Sequence, residues 1–294
     1  MAGSAAGSAA GARPVMPVAP VVSRRREVSH ASARSLLTTL LGEFVLPRER
    51  AVWTSVLVDA LATFGVEEKS ARQALARVAA EGWLISERVG RRVRWVLTPT
   101  GRRLLAEGAE RIYGFGGGEH AWDGNWLVLL ASVPEARREL RHKLRTRLSW
   151  AGFGSPTPGV WITPHTGREA EALEVLKELG LAEDAMSFTA AYGAAGSQES
   201  MVTRAWDLGE LSGRYEEFTA EFAGLRPSGG DAVLHALTRL VHEWRRFPFL
   251  DPMLPRELLP ARWSGAEAAA LFHRRHVEWR PEAQRRWDEL TERT

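Results

Sequence analysis

The chain has no cysteine. Disulfide bracing and thiolate metal sites are therefore excluded, and the fold must rest on packed cores alone. Lysine is nearly missing as well: Lys69, Lys143 and Lys177 are the only three among 39 basic residues. Arginine supplies the rest throughout the chain, so one arginine says little about function and only clustering counts. No apolar run approaches the roughly 20 residues a membrane-spanning helix needs. G-x-S-x-G and H-E-x-x-H are absent, as is a glycine-rich loop ending in Lys-Ser/Thr. Those are the short motifs of serine hydrolases, zinc peptidases and phosphate-binding loops. The glycine run at 114–118 (GFGGG) neither follows a core strand nor opens a helix, so it reads as a flexible linker. His273 and His276 are three apart, and His235 and His242 share a helical face, but no nearby carboxylate or cysteine completes a tetrahedral zinc set. No catalytic residue, cofactor or metal is expected.

With 294 residues, 45% hydrophobic and 26% charged, the chain is an ordinary globular sequence long enough for two or three domains. Its net charge of +3 is modest, but it is unevenly placed: between Lys69 and Arg103 there are nine Lys/Arg against two Asp/Glu. The segment 66–97 overlaps that basic stretch and carries its pattern. Ala71, Ala74, Leu75 and Val78 fall at i, i+3, i+4 and i+7, the apolar face of a short helix. The opposite face carries Lys69, Ser70, Gln73 and Arg77, all able to donate hydrogen bonds to phosphates or base edges. Gly82 is placed to end the helix in a left-handed conformation. Two short strands are expected at 83–87 and 93–98, with Arg88, Arg91 and Arg92 in the loop between them. A basic-faced helix followed by an arginine-tipped hairpin has the layout of a winged helix-turn-helix, with the helix in the major groove and the wing along the backbone. Gln73 and Arg77 are the expected base readers, since Gln pairs well with adenine and Arg with guanine. Arg91 and Arg92 are expected on phosphates, while Arg72 borders the packed face and Arg94 lies on the hairpin.

Residues 1–28, rich in Ala, Gly, Ser and Pro without periodicity, are expected to be a disordered leader. A signal peptide is not expected, because the basic cluster Arg24–Arg26 follows the mildly apolar part and prolines interrupt it. Helices at 33–45, with Leu36, Leu37, Leu40 and Leu41 on one face, and at 53–64, with Trp53 facing inward, complete a head at 29–112. A linker at 113–118 follows. From 119 to 195 the order is strand 126–133, a helix after Pro134, strands within 152–164, helix 169–179 and strand 188–192. That β-α-β-β-α-β order is ferredoxin-like. The remainder, 196–294, is mostly helical, with 208–225, 231–247 and 266–289 as helices. A segment at 248–263, holding four prolines, is expected to lie extended over their surface. The fold class is thus α+β, and the absence of cysteine fits a cytoplasmic protein.

Three stretches together resemble one family, the PaaX-like transcriptional repressors of phenylacetic acid degradation. They are ARSLLTTLLGEFVLPRE with the segments through VGRR, WDGNWLVLLASVPEARRELRHKLRTRLSWAGFG with PGVWITP, and HEWRRFPFLDPMLPRELLPARWSG. The likeness spans roughly 32–290 in order. It implies a DNA-binding head, a middle domain, a C-terminal helical domain and homodimerisation. It also implies a double-stranded operator partner and release from DNA by an aryl-acetyl-CoA thioester. The middle domain further resembles the small CRISPR-associated endoribonucleases, whose metal-binding aspartate ends the first strand. Ser132 stands at that position here, and a lone hydroxyl does not replace a carboxylate for a hard divalent cation. A dimerisation role is therefore favoured over catalysis. Trp161, Trp206 and Trp244 are rings that could stack on an effector, and Arg204, His242, Arg245 and Arg246 are the nearest cations for CoA phosphates. The competing readings are a nuclease or acyl-thioester hydrolase on the middle domain, and an architectural DNA binder without effector.

Overall fold

The computed structural model describes residues 32–48, 50–117 and 121–292. The leader at 1–28 lies outside the described residues. From Ala33 onward the chain forms one compact unit.

α1 (Ala33–Leu40) buries Leu36, Leu37 and Leu40, as their spacing requires. The expected helix to residue 45 is α-helical only this far. Over Leu41–Val45 it widens into a π-helical turn closed by the Leu46 N–H on the Leu41 carbonyl, and Pro47 lies in the 3-10 turn beyond. A wider turn changes which side chains face inward, and here Glu43 is buried beside Phe44. β1 (Val52–Trp53) then precedes α2 (Thr54–Ala62). Trp53 thus belongs to a strand and not to the helix expected at 53–64. Two extended residues running straight into an apolar helix leave no periodic signal of their own.

α3 (Glu68–Ala80) buries Ala71, Ala74, Leu75 and Val78. It ends as its sequence directs. Gly82 adopts φ 78°, its N–H bonds Ala79 O, and the next N–H, of Trp83, reaches back to Val78 O. This pair of bonds satisfies the last carbonyls of the helix. β2 (Leu84–Val89) and β3 (Arg92–Leu97) pair antiparallel from Leu84↔Leu97 to Val89↔Arg92. Gly90 takes the positive φ, 61°, that a two-residue hairpin turn requires. β1 adds to the far side of β3 through Val52↔Trp95, giving the order β1-β3-β2. Thr54 clamps the helix start to this sheet: its hydroxyl donates to Val93 O and accepts from the Trp95 indole.

α4 (Pro99–Gly114) starts on a Thr98 cap whose hydroxyl accepts the Gly101 N–H. Phe115 is buried edge-on against Trp244, and a Cβ on Gly116 would lie 2.7 Å from that of Ala269. The segment read as a flexible break is therefore anchored at 115–116, on residues far along the chain that its composition could not reveal.

β4 (Asn125–Leu130), α5 (Arg138–Trp150), β5 (Gly154–Thr157), β6 (Val160–Thr163), α6 (Glu169–Glu178) and β7 (Met186–Ala191) follow in the expected order. They form one antiparallel sheet ordered β5-β6-β4-β7. α5 begins later than expected, because 134–137 makes a turn closed by the Arg137 N–H on Pro134 O. β4 is apolar from Trp126 onward because both sheet faces are covered. Leu127, Leu129 and Trp161 pack under α5 and α6 with Leu144, Leu148, Ala172 and Leu176. Trp126 and Ile162, on the opposite face, meet Val202, Leu208, Leu254 and Leu258.

α7 (Gln198–Ala205), α8 (Leu208–Ala223), α9 (Gly230–Trp244) and α11 (Gly265–Glu292) make the helical remainder, with a short helix α10 (Phe247–Leu250) before the last. Trp244 stacks on Phe272 at 4.6 Å and Tyr215 on Phe247 at 4.1 Å. The proline-rich segment is not a surface strap over helices: Leu254 and Leu258 insert against the second face of the sheet, and Pro248 opens a helical turn in α10, a position where its missing N–H costs nothing.

Candidate nucleic-acid interface

α3 offers its polar face fully to solvent. Lys69, Ser70, Arg72, Gln73 and Arg77 are all exposed, opposite the buried row that seats the helix on α1 and α2. Their freedom differs. Arg72 is paired with Glu68 one turn earlier at 2.7 Å. Among the described residues, Lys69 and Arg77 have no carboxylate within ion-pair distance, so their charge is available to a partner. Glu68, Lys69, Arg72, Gln73 and Ala76 line one shallow open depression. Ala76 was not singled out in the sequence. Its place three residues beyond Gln73 is the signal that would have found it, and an exposed methyl group there suits contact with a thymine methyl.

The hairpin tip holds Arg91 in its two-residue turn, exposed and without an ion pair among the described residues. Arg88 and Arg92 lie in the flanking strands instead of the loop. The Arg88 Nε–H donates to Gly90 O at 3.3 Å, and the Arg92 guanidinium sits 5.9 Å from the ring centroid of Trp53. Arg94 is tied to Glu87 across the hairpin at 2.7 Å. The structure thus brings the helix row and the hairpin onto one small body, and it separates neutralised arginines (Arg72, Arg94) from free ones (Arg77, Arg91). The end of α3 is held to the start of α1 by Nε and Nη2 of Arg34, which donate to the two carboxylate oxygens of Glu81.

The seven residues expected to meet an effector do not share one surface; Arg246 is paired with Glu243 on the outside of its helix end at 3.0 Å. Trp161 is buried beneath α5 and α6, whereas Trp206 lies on the opposite face of the sheet, stacked on Trp126 at 6.3 Å. Arg204 is exposed on α7. Trp244 is fully buried, with its indole N–H on Ile112 O. His242 and Arg245 both meet Thr39 of α1: the Arg245 guanidinium donates to its hydroxyl at 2.9 Å, and Nδ1 of His242 lies 3.0 Å from the same oxygen. Burial strips water from the imidazole, and Arg245 and Arg246 repel its proton, which lowers its pKa to about 3.

A second polar cluster, which the sequence reading did not find, joins the head to α11. Glu43 receives the Tyr113 hydroxyl, with His276 Nε2 and Arg280 Nε at 3.2 and 3.3 Å from its oxygens. Burial alone would raise its pKa, but the His276 bond and charge, the Tyr113 hydroxyl and Arg280 outweigh it and hold the carboxyl below its usual value. Of the other histidines, His273 contacts Phe115 O and His235 stacks on Phe64. Among the described residues, no three His, Cys, Asp or Glu side chains converge as a metal set, and no helix is long and apolar enough to cross a membrane.

Comparison with known proteins follows this division of the chain. Family models match residues 32–101 (PaaX-like protein), 119–202 (PaaX protein central Cas2-like domain) and 206–289 (PaaX-like protein C-terminal domain). The Transcriptional repressor PaaX of Escherichia coli (strain K12) is 33% identical over 251 residues, which cover 82% of this chain and 78% of that protein. In fold, the chain is similar to the uncharacterized protein Rv0674 from Mycobacterium tuberculosis, with a TM-score of 0.59 and 24% identity over 89% of this chain and 99% of the other. Three consecutive models and a relative matched over most of both chains agree: the chain belongs to the PaaX-like protein family.

Proposed function

We propose that this chain is a DNA-binding transcriptional repressor that acts as a homodimer and leaves its operator when an aryl-acetyl-CoA thioester binds. In this reading 29–112 is a winged helix-turn-helix head, 119–195 a ferredoxin-like domain that pairs two copies, and 196–294 the helical domain that communicates the effector. The observation that carries it is the exposed row Lys69, Ser70, Gln73 and Arg77 on α3, next to a hairpin whose turn presents Arg91. A helix with that face suits the major groove, and a cationic hairpin tip suits the adjacent backbone. The strand order β7-β4-β6-β5 supports the reading of the middle domain. β7 is an open edge with Met186 and Phe188 about half exposed, a surface that a second copy would cover. The effector comes from the family likeness alone.

The test uses the two kinds of contact. Gln73→Ala is expected to relax sequence preference by about 1–3 kcal/mol at one base position. Arg91→Ala is expected to weaken binding to all duplexes alike and to flatten the salt dependence by about one unit. Mobility-shift titrations of operator and scrambled duplex at several salt concentrations read both. If both variants bind like the parent, the reading head is elsewhere.

A further inference from the structure

A cavity of about 300 Å³ opens where the end of α4, the end of α5 and the proline-rich segment after α9 meet. All three sequence-defined parts of the chain reach it, yet none of the residues expected to meet DNA or an effector lines it. Two guanidinium groups do, those of Arg111 and Arg168. Each spends little of its hydrogen-bonding capacity on the protein. One arm of Arg168 donates to Ala151 O at 2.7 Å, and one arm of Arg111 to Pro248 O at 3.2 Å. A guanidinium has five N–H donors, and among the described residues neither has a carboxylate within ion-pair distance. Arg168 is also deliberately accommodated. Gly152, at φ 80°, leaves the space it occupies, and a Cβ there would stand 2.0 Å from its Nη1.

Arg168 is half-buried, and Arg111 is exposed at the mouth with its guanidinium 4.7 Å from the ring centroid of Phe249. Burial lowers the affinity of Arg168 for its proton, Glu171 partly offsets this, and the charge of Arg111 lowers it further. Among the described residues, the carboxylates that line the cavity, Asp251 and Glu110, form no ion pair with either arginine. Asp251 is occupied by the Tyr215 hydroxyl at 2.7 Å and the Met253 N–H at 2.6 Å, and Glu110 is exposed at the rim. Phe115 and Trp150 line the same cavity.

We infer that this cavity is a binding site for a small organic acid, its oxyanion taken by Arg111 and Arg168 and its apolar body laid against Phe115 and Trp150. The volume is at the low end for ligand pockets and suits one aromatic ring with its acid group, not a nucleotide. Two forked donors match a carboxylate in plane, and the rings match a flat body. A role for this ligand in moving the head rests on the repressor reading above; the binding site itself does not.

Binding is measured on the full chain without DNA, by calorimetric titration with benzoate, phenylacetate, phenylacetamide and inorganic phosphate. The aromatic acids are expected to bind, with the neutral amide and phosphate at least about tenfold weaker. Arg111→Gln and Arg168→Gln are each expected to lower affinity for the acids about tenfold or more. Because Arg168 also braces Ala151, Arg111→Gln is the variant that decides if the other fails to fold. The site is overturned if no acid binds, if the amide binds equally, if phosphate alone binds, or if Arg111→Gln binds like the parent. A saturating acid that leaves operator affinity unchanged keeps the site and removes only its link to DNA release. Loss of operator binding by the parent chain leaves the titration intact and counts against the repressor reading alone.

Discussion

Gly101 stands in the first turn of α4 with no room for a side chain: an added Cβ would lie 2.3 Å from Trp83 O and 2.9 Å from its carbonyl carbon. Those are backbone atoms at the foot of the hairpin, where the Thr98 N–H also bonds, so neither neighbour can swing aside. Gly101→Ala is therefore expected to cost about 1–3 kcal/mol by overpacking, although alanine is otherwise the better helix former. Urea unfolding of the two proteins measures it, and an unchanged midpoint would mean that α4 slides freely over the hairpin. His242 makes a different prediction at the same scale. Its pKa falls from 6.5 to about 3 on folding because of burial and of the charges of Arg245 and Arg246. Between those values the unfolded chain binds the extra proton, so stability rises with pH and is lost as the medium is acidified below about 6.5, by at most about 1.4 kcal/mol per unit. His242→Asn keeps a polar partner for Thr39 and does not titrate. Thermal melts between pH 5 and 7 are expected to show a flatter profile for the variant; parallel profiles would place the titrating group elsewhere.

Among the elements, the π-helical turn after α1 matters most, because it sends Glu43 into the junction with α11. Glu43→Ala removes the shared acceptor of Tyr113, His276 and Arg280, and is expected to cost about 3–5 kcal/mol, as for breaking a buried charge cluster from one side. Arg280→Ala removes a half-exposed partner and is expected to cost about 1 kcal/mol or less. Denaturant titration of the two variants tests the ordering, and equal losses would mean that the cluster is wet. The sequence made some elements plain and hid others, for reasons visible in them. α3 was legible because four apolar residues at helical spacing and a terminal glycine all point the same way. The element order of the middle stretch was legible because its strands and helices alternate in period and are separated by turn residues. Glu43 was hidden because it sits amid apolar neighbours and its partners are far along the chain, Tyr113 by 70 residues and His276 and Arg280 by more than 200. β1 was hidden by its brevity. Arg111 and Arg168 were hidden by the abundance of arginine, since only geometry separates a braced and unpaired one from the rest.

At the level of the whole molecule, three family models lie end to end along a chain that packs as one body. The two descriptions differ in what they expect of unfolding. Separate domains joined by linkers melt separately, whereas domains that share core residues melt together. Here the head shares the side away from α3's polar face with the C-terminal helices. Phe44 stacks on Trp287 at 4.9 Å, Arg48 grips Asp288 and Gln284, and Thr39 is held by His242 and Arg245. The middle sheet is bound in turn, because its second face is completed by Leu208, Leu254 and Leu258 from the helical part. Scanning calorimetry is therefore expected to give one transition. Glu43→Ala, which touches neither the sheet nor its helices, should lower the melting of the Trp126 and Trp161 environment as much as that of the head. Two transitions, with only the earlier one moved by Glu43→Ala, would show the junctions to be surface contacts between independent units. The distinction bears on function through mechanics: a ligand seated among α4, α5 and the proline-rich segment can turn the head only if the strain it introduces is carried by packed side chains and not lost in a slack connection.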